Sequence, residues 1–162
     1  MTIVLVLYFN YVYFPFKCYY ITSHINLDTF VALHAFHNLT KMWNAGLTLF
    51  NENGTDVLFI CDNSRHQVIK TTIDGRVLLV LDYPKETGQY TKAAEYVPTE
   101  TAIAPNGDIY VADGYGKDFI IQYDSKGRYI NHFGGKGPEA KHLSNAHGIC
   151  VDQRDPLHPC LI

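Results

Sequence analysis

The residues of this chain best suited to metal or acid–base chemistry are its eight histidines and four cysteines, and they stand apart in the sequence. His34 and His37 form an H-x-x-H pair in "LHAFHNL", a spacing that reads as an ordinary surface pair while offering two imidazoles close together. His66, His132, His142 and His158 have no partner in the local sequence and read as loop or strand-end residues. His147, in "AHGICVD", reads on its own as a residue hydrogen-bonded to backbone. Cys18, Cys61, Cys150 and Cys160 include no C-x-x-C pair, so a structural zinc cluster is not expected and the redox compartment stays open. Tyr115 closes the stretch "PNGDIYVADGY", which puts a phenol just behind an acidic strand end. Its hydroxyl is either a packing group with a satisfied hydrogen bond or part of a site.

Elements long enough to position such residues must come from 162 residues, a length that fits one domain and can bury a real core. With 47% hydrophobic, 14% aromatic and 18% charged residues, the middle and end of the chain are expected to be globular. The net charge of -3 comes with no basic stripe, which excludes a general nucleic-acid surface. Residues 1–44 differ from the rest. Their apolar run precedes its only early basic residue, Lys17, where a secretory signal needs the positive charge first. Asn10 and Pro15 interrupt the run before it reaches the roughly 20 residues that span a bilayer. The segment therefore reads as an atypical hydrophobic, β-prone leader with no stable membrane span, and location is left open between secreted and cytoplasmic. The sequons at Asn38 and Asn53 carry weight only in a secreted protein.

From residue 45 the chain repeats. "AGLTLFNENGTDVLFICDNSRHQVIKTTIDGRVLLVL" matches "TETAIAPNGDIYVADGYGKDFIIQYDSKGRYINHF" in order: apolar strand, Asn-Gly turn, strand ending in Asp, loop, third strand, Gly-containing turn, fourth strand. Asp62 and Asp113 are 51 residues apart and Gly75 and Gly127 are 52 apart, so the register holds through the unit. A third unit starts at "HGICVDQRDPLHPCLI". A period of about 45 to 50 residues with four short strands predicts an all-β chain built of β-propeller blades. Within a blade, Ile109 and Val111 share one face of a strand and Tyr110 and Ala112 the other, and both faces need cover from neighbouring blades. Asn53-Gly54 and Asn106-Gly107 supply turns, and Asp62 and Asp113 read as structural acceptors for loop N–H groups.

Residues 45–162, through "PTETAIAPNGDIYVADGYGKDFIIQYDSKGRYINHFGGKG", "AHGICVD" and "DNSRHQVIK", resemble NHL-repeat six-bladed propellers, and among these the peptidyl-α-hydroxyglycine α-amidating lyases. The resemblance implies a zinc-dependent elimination that splits a C-terminal α-hydroxyglycine into a peptide amide and glyoxylate. The family holds zinc with three histidines, keeps a tyrosine near the metal and binds substrate with arginines. Carried over, the tyrosine is Tyr115 in "ADGYG" and one zinc ligand is His147 in "AHGICVD". Inner strands are expected to start at Ala45, Thr99 and His147, and alternate blades of six stand about 120° apart, which suits an open tripod of ligands. The ligand two blades before His147 falls on Ala45, which has no lone pair. The third ligand would fall at about residue 250 by the same period, past Ile162. Zinc binding is therefore expected to be weak or absent, unless His34 or His37 substitutes.

Three readings follow for the chain, taken as about two and a half blades. One is a lyase-like protein that has lost activity, and this is the favoured reading. The others are a non-catalytic NHL module for a protein or peptide, and a truncated product without independent function. Open blade faces are expected to favour self-association.

Overall fold

The computed structural model describes residues 44–152 and 160–161, so residues 1–43 of the leader, with Cys18, His34 and His37, and also His158, lie outside the described residues. The first unit supplies β1 (Asn44–Glu52), β2 (Thr55–Asp62), β3 (Gln67–Thr72) and β4 (Val77–Leu81). The second supplies β5 (Glu100–Ile103), β6 (Ile109–Ala112), β7 (Phe119–Tyr123) and β8 (Tyr129–Gly134). Each set forms one antiparallel four-stranded sheet in sequence order, and β9 (Val151–Asp152) pairs with β10 (Cys160–Leu161). Two three-residue 3-10 turns, Lys85–Thr87 and Ala93–Glu95, lie in the connection between the sheets, and no α-helix occurs among the described residues. No helix there is long and apolar enough to cross a membrane.

Local chemistry explains the hairpins. Glu52 pairs with Thr55 across a two-residue turn in which Asn53 has φ 52° and Gly54 φ 86°. Positive φ at both central positions matches the right-handed twist of the flanking strands, and Asn-Gly adopts it at least cost. The turn between β5 and β6 is longer, with Ala104 N–H donating to Asp108 O and only Gly107 at positive φ.

The alternation expected along β6 is observed. Ile109 and Val111 join Val57, Phe59 and Cys61 of β2, Ile121 and Tyr123 of β7 and Ile103 of β5 in one buried cluster. The core thus lies between the sheets, where burial contributes about 1.5–3 kcal/mol for each large side chain. Tyr90 and Tyr96, from the connection, close the cluster and meet edge to face at 5.6 Å. The first strands of the two sheets are neighbours: Thr48 Oγ1 of β1 donates to Thr101 O of β5 at 2.9 Å. Residues 48–50, 101–103 and 149–151 line one groove, so all three units converge there. Two four-stranded antiparallel sheets with adjacent first strands are consistent with propeller blades.

Candidate functional site

The site is built on a loop that an aspartate closes. Asp113 follows β6 and is fully buried, and its carboxylate accepts from Lys117 N–H at 2.7 Å, Val97 N–H at 2.6 Å and the Tyr90 hydroxyl at 2.6 Å. Asp118 N–H donates to Asp113 O, which completes the turn 113–118. Asp62 does the same one unit earlier, accepting Arg65 N–H at 3.0 Å and the Arg65 guanidinium at 3.2 Å. The structural reading of both aspartates therefore holds. Burial pushes the Asp113 carboxyl up from its ordinary value, and the hydrogen bonds from Lys117, Tyr90 and Val97 offset only part of that. Burial and the adjacent Asp113 push the Tyr90 hydroxyl far above the usual phenol range.

At the tip of this loop Tyr115 is 53% exposed. Its ring meets the His147 ring edge to face, with centroids 4.3 Å apart and planes at 78°. The two residues singled out by the sequence are thus brought together from segments 32 positions apart. His147 is exposed, and its Nε2 lies 3.1 Å from Asn145 Oδ1. With that oxygen as acceptor, Nε2 carries a hydrogen. A phenol and an imidazole thus lie in ring contact at an exposed position.

His147 does not open a strand, contrary to expectation. It lies in the loop ahead of β9, which begins at Val151. The backbone before it is committed elsewhere: Asn145 has φ 57°, and the N–H groups of Asn145 and Ala146 donate to Asp118 Oδ1 at 2.7 and 3.3 Å. From the other side, Thr99 Oγ1 donates to Ala146 O at 2.6 Å. Gly114 passes so close to Ala146 that a Cβ at position 114 would overlap the Ala146 carbonyl group. Asp118, Thr99 and Asn145 are contributors that the sequence reading missed. The only local signal was an aspartate ahead of a strand in "GKDF".

The remaining described histidines are occupied elsewhere. His66 Nδ1 pairs with Tyr96 O at 2.7 Å, His132 Nδ1 with the Tyr129 hydroxyl at 2.6 Å, and His142 Nδ1 with Glu139 N–H at 3.1 Å. Among the described residues no group of three or more His, Cys, Asp or Glu is placed to hold a metal ion. Among the described residues one imidazole stands at this site, against the three zinc ligands that the resemblance implies. Ala45 lies in β1.

No protein-family model matches the chain. Two curated proteins are similar to part of it. Peptidyl-alpha-hydroxyglycine alpha-amidating lyase 1 of Drosophila melanogaster is 36% identical over 92 residues, covering 55% of this chain and 16% of that protein. Probable peptidyl-alpha-hydroxyglycine alpha-amidating lyase pgal-1 of Caenorhabditis elegans is 35% identical over 85 residues, covering 52% of this chain and 23% of that protein. The similarity therefore spans less than a quarter of either relative's length, and the chain has a lyase-like relationship at the level of sequence.

Proposed function

We propose that this chain is an arc of about two and a half NHL-type propeller blades carrying the tyrosine–histidine half of a peptidyl-α-hydroxyglycine lyase site. The observation that supports the reading is the Tyr115–His147 contact at 4.3 Å, made by the two residues that match the motifs of the lyase family. The substrate class is a peptide ending in α-hydroxyglycine. Its cleavage needs the hydroxyl proton removed, the bond from the α-carbon to the amide nitrogen broken, and a proton returned to that nitrogen. Peptide amide and glyoxylate result, with no change of oxidation state. Tyr115 and His147 are suited to hold and move those protons, since each offers one ionisable group at the surface. The zinc of the lyase family would supply Lewis-acid polarisation, but the described residues offer it one imidazole. The half-site is accordingly proposed to bind the carbinolamide terminus without turning it over.

Titration of the full chain with a short peptidyl-α-hydroxyglycine, followed by NMR, tests the reading. The expected result is a selective shift of the His147 and Tyr115 ring resonances, absent for the same peptide ending in glycine and weakened by Tyr115→Phe. Equal shifts for both peptides would assign the surface to a general peptide-binding module instead, and no shifts at all would overturn the reading.

A further inference from the structure

The His147 loop is held by groups that lie outside the reacting pair. Asn145 and Ala146 immediately precede His147, and the Asn145 N–H, the Ala146 N–H and the Ala146 carbonyl are each bound by a side chain that is almost wholly buried. Asp118 Oδ1 takes both N–H groups, at 2.7 and 3.3 Å, and Thr99 Oγ1 gives its hydrogen to Ala146 O at 2.6 Å. Asp118 is 2% and Thr99 1% exposed. Both are themselves tied to the Tyr115 loop. Asp118 ends it, with its N–H on Asp113 O, and Thr99 Oγ1 also accepts Gly114 N–H at 3.2 Å. Asp118 further accepts Gly135 N–H on its carbonyl at 2.8 Å, and Lys136 Nζ lies 3.9 Å from Oδ2.

We infer that Asp118 and Thr99 form a two-sided clamp that sets the position of His147 against Tyr115, so that both are positioning residues for the pair. The inference rests on the proposed role of that pair. A buried side chain that accepts two successive N–H groups fixes the peptide plane between them, and a donor on the following carbonyl removes the remaining rotation. The next side chain, His147, then leaves the clamp in one direction. Asn145 adds the third restraint through its Oδ1 contact with Nε2. Without the clamp, an exposed imidazole on a glycine-flanked loop would sample many orientations.

The test uses the full chain and reads the His147 ring protons by NMR, which report the Tyr115 ring through its ring current. Asp118→Ala is expected to abolish most of the ring-current displacement, while Asp118→Asn, which keeps an acceptor oxygen, retains it. Thr99→Val is expected to lose it and Thr99→Ser to restore it, so the clamp stays testable if Asp118→Ala fails to fold. Ile121→Val, a core change remote from the clamp, should lower thermal stability and leave the His147 signals in place. Unchanged His147 signals in folded Asp118→Ala or Thr99→Val would overturn the clamp. The readout contains no substrate, so a failure of the lyase reading leaves this result standing, and the converse also holds.

Discussion

The Asp113 carboxylate takes three hydrogen bonds, two from the connection between the sheets and one from its own loop, which makes it the residue whose loss should be felt most. Replacing it by alanine strands the hydroxyl of Tyr90 in a buried setting and the N–H groups of Lys117 and Val97 in half-buried ones. A buried orphaned donor costs about 1–3 kcal/mol and a half-buried one less, so Asp113→Ala is expected to lose about 2 kcal/mol or more in thermal or chemical unfolding. A loss below about 1 kcal/mol, the worth of a single ordinary hydrogen bond, would mean that water replaces all three. At this scale the sequence was only half legible. That Asp113 would cap a loop followed from its place at a strand end. That Asp118 and Thr99 would reach residues 27 and 47 positions away did not, because such contacts leave no local pattern.

Among the elements, β5 carries an unusual charge at its first position. Glu100 accepts Thr101 N–H at 3.0 Å, and its Oε1 lies 3.0 Å from Thr48 Oγ1, whose one hydrogen it shares with Thr101 O, in space kept open by Gly46 on β1. Burial raises its carboxyl pKa, and these two bonds lower it less than burial raises it. A raised folded-state pKa means that the favourable contribution is present at low pH and is lost as pH rises through the folded value. Glu100→Gln is therefore expected to raise stability at neutral pH, with the difference from the native chain shrinking as pH falls to about 4. Unfolding curves at the two pH values check this, and a destabilised variant at neutral pH would contradict it. Glu95 has the opposite sign. The N–H of Thr91 and then the Lys117 ammonium hold its carboxyl down at about 2, so its contribution is present above the ordinary value of 4.5 and is lost as pH falls toward 2. Strands and hairpins were the most legible part of the sequence, since period-two alternation and Asn-Gly turns are local signals. The start of the third unit was misplaced. The sequence put a strand at His147, and the clamp holds that stretch as a loop until Val151.

For the molecule as a whole, the outer strands leave apolar side chains in water. Val77, Leu78 and Val80 on β4 and Ile130 and Phe133 on β8 are all exposed, and β4 and β8 are sheet edges. Exposed edges with apolar residues favour association. Sedimentation at micromolar concentration is expected to show concentration-dependent self-association that Leu78→Lys combined with Val80→Lys reduces. A compact native monomer across that range would contradict this. The repeat was legible from matching anchors 51 and 52 residues apart, whereas its packing, which sets adjacent first strands together through Thr48 and Thr101, needed the structure.

Glyoxylate release from a peptidyl-α-hydroxyglycine in the presence of added zinc separates a half-site that only binds from a working lyase. The native chain, Ala45→His and His147→Ala should be compared side by side. A single imidazole beside Tyr115 does not fix and orient a catalytic metal. Background release is therefore expected from all three, while Ala45→His raises zinc affinity modestly by adding a second imidazole. Zinc-dependent release by the native chain that disappears in His147→Ala would contradict the account and show that His147 works in a complete metal site.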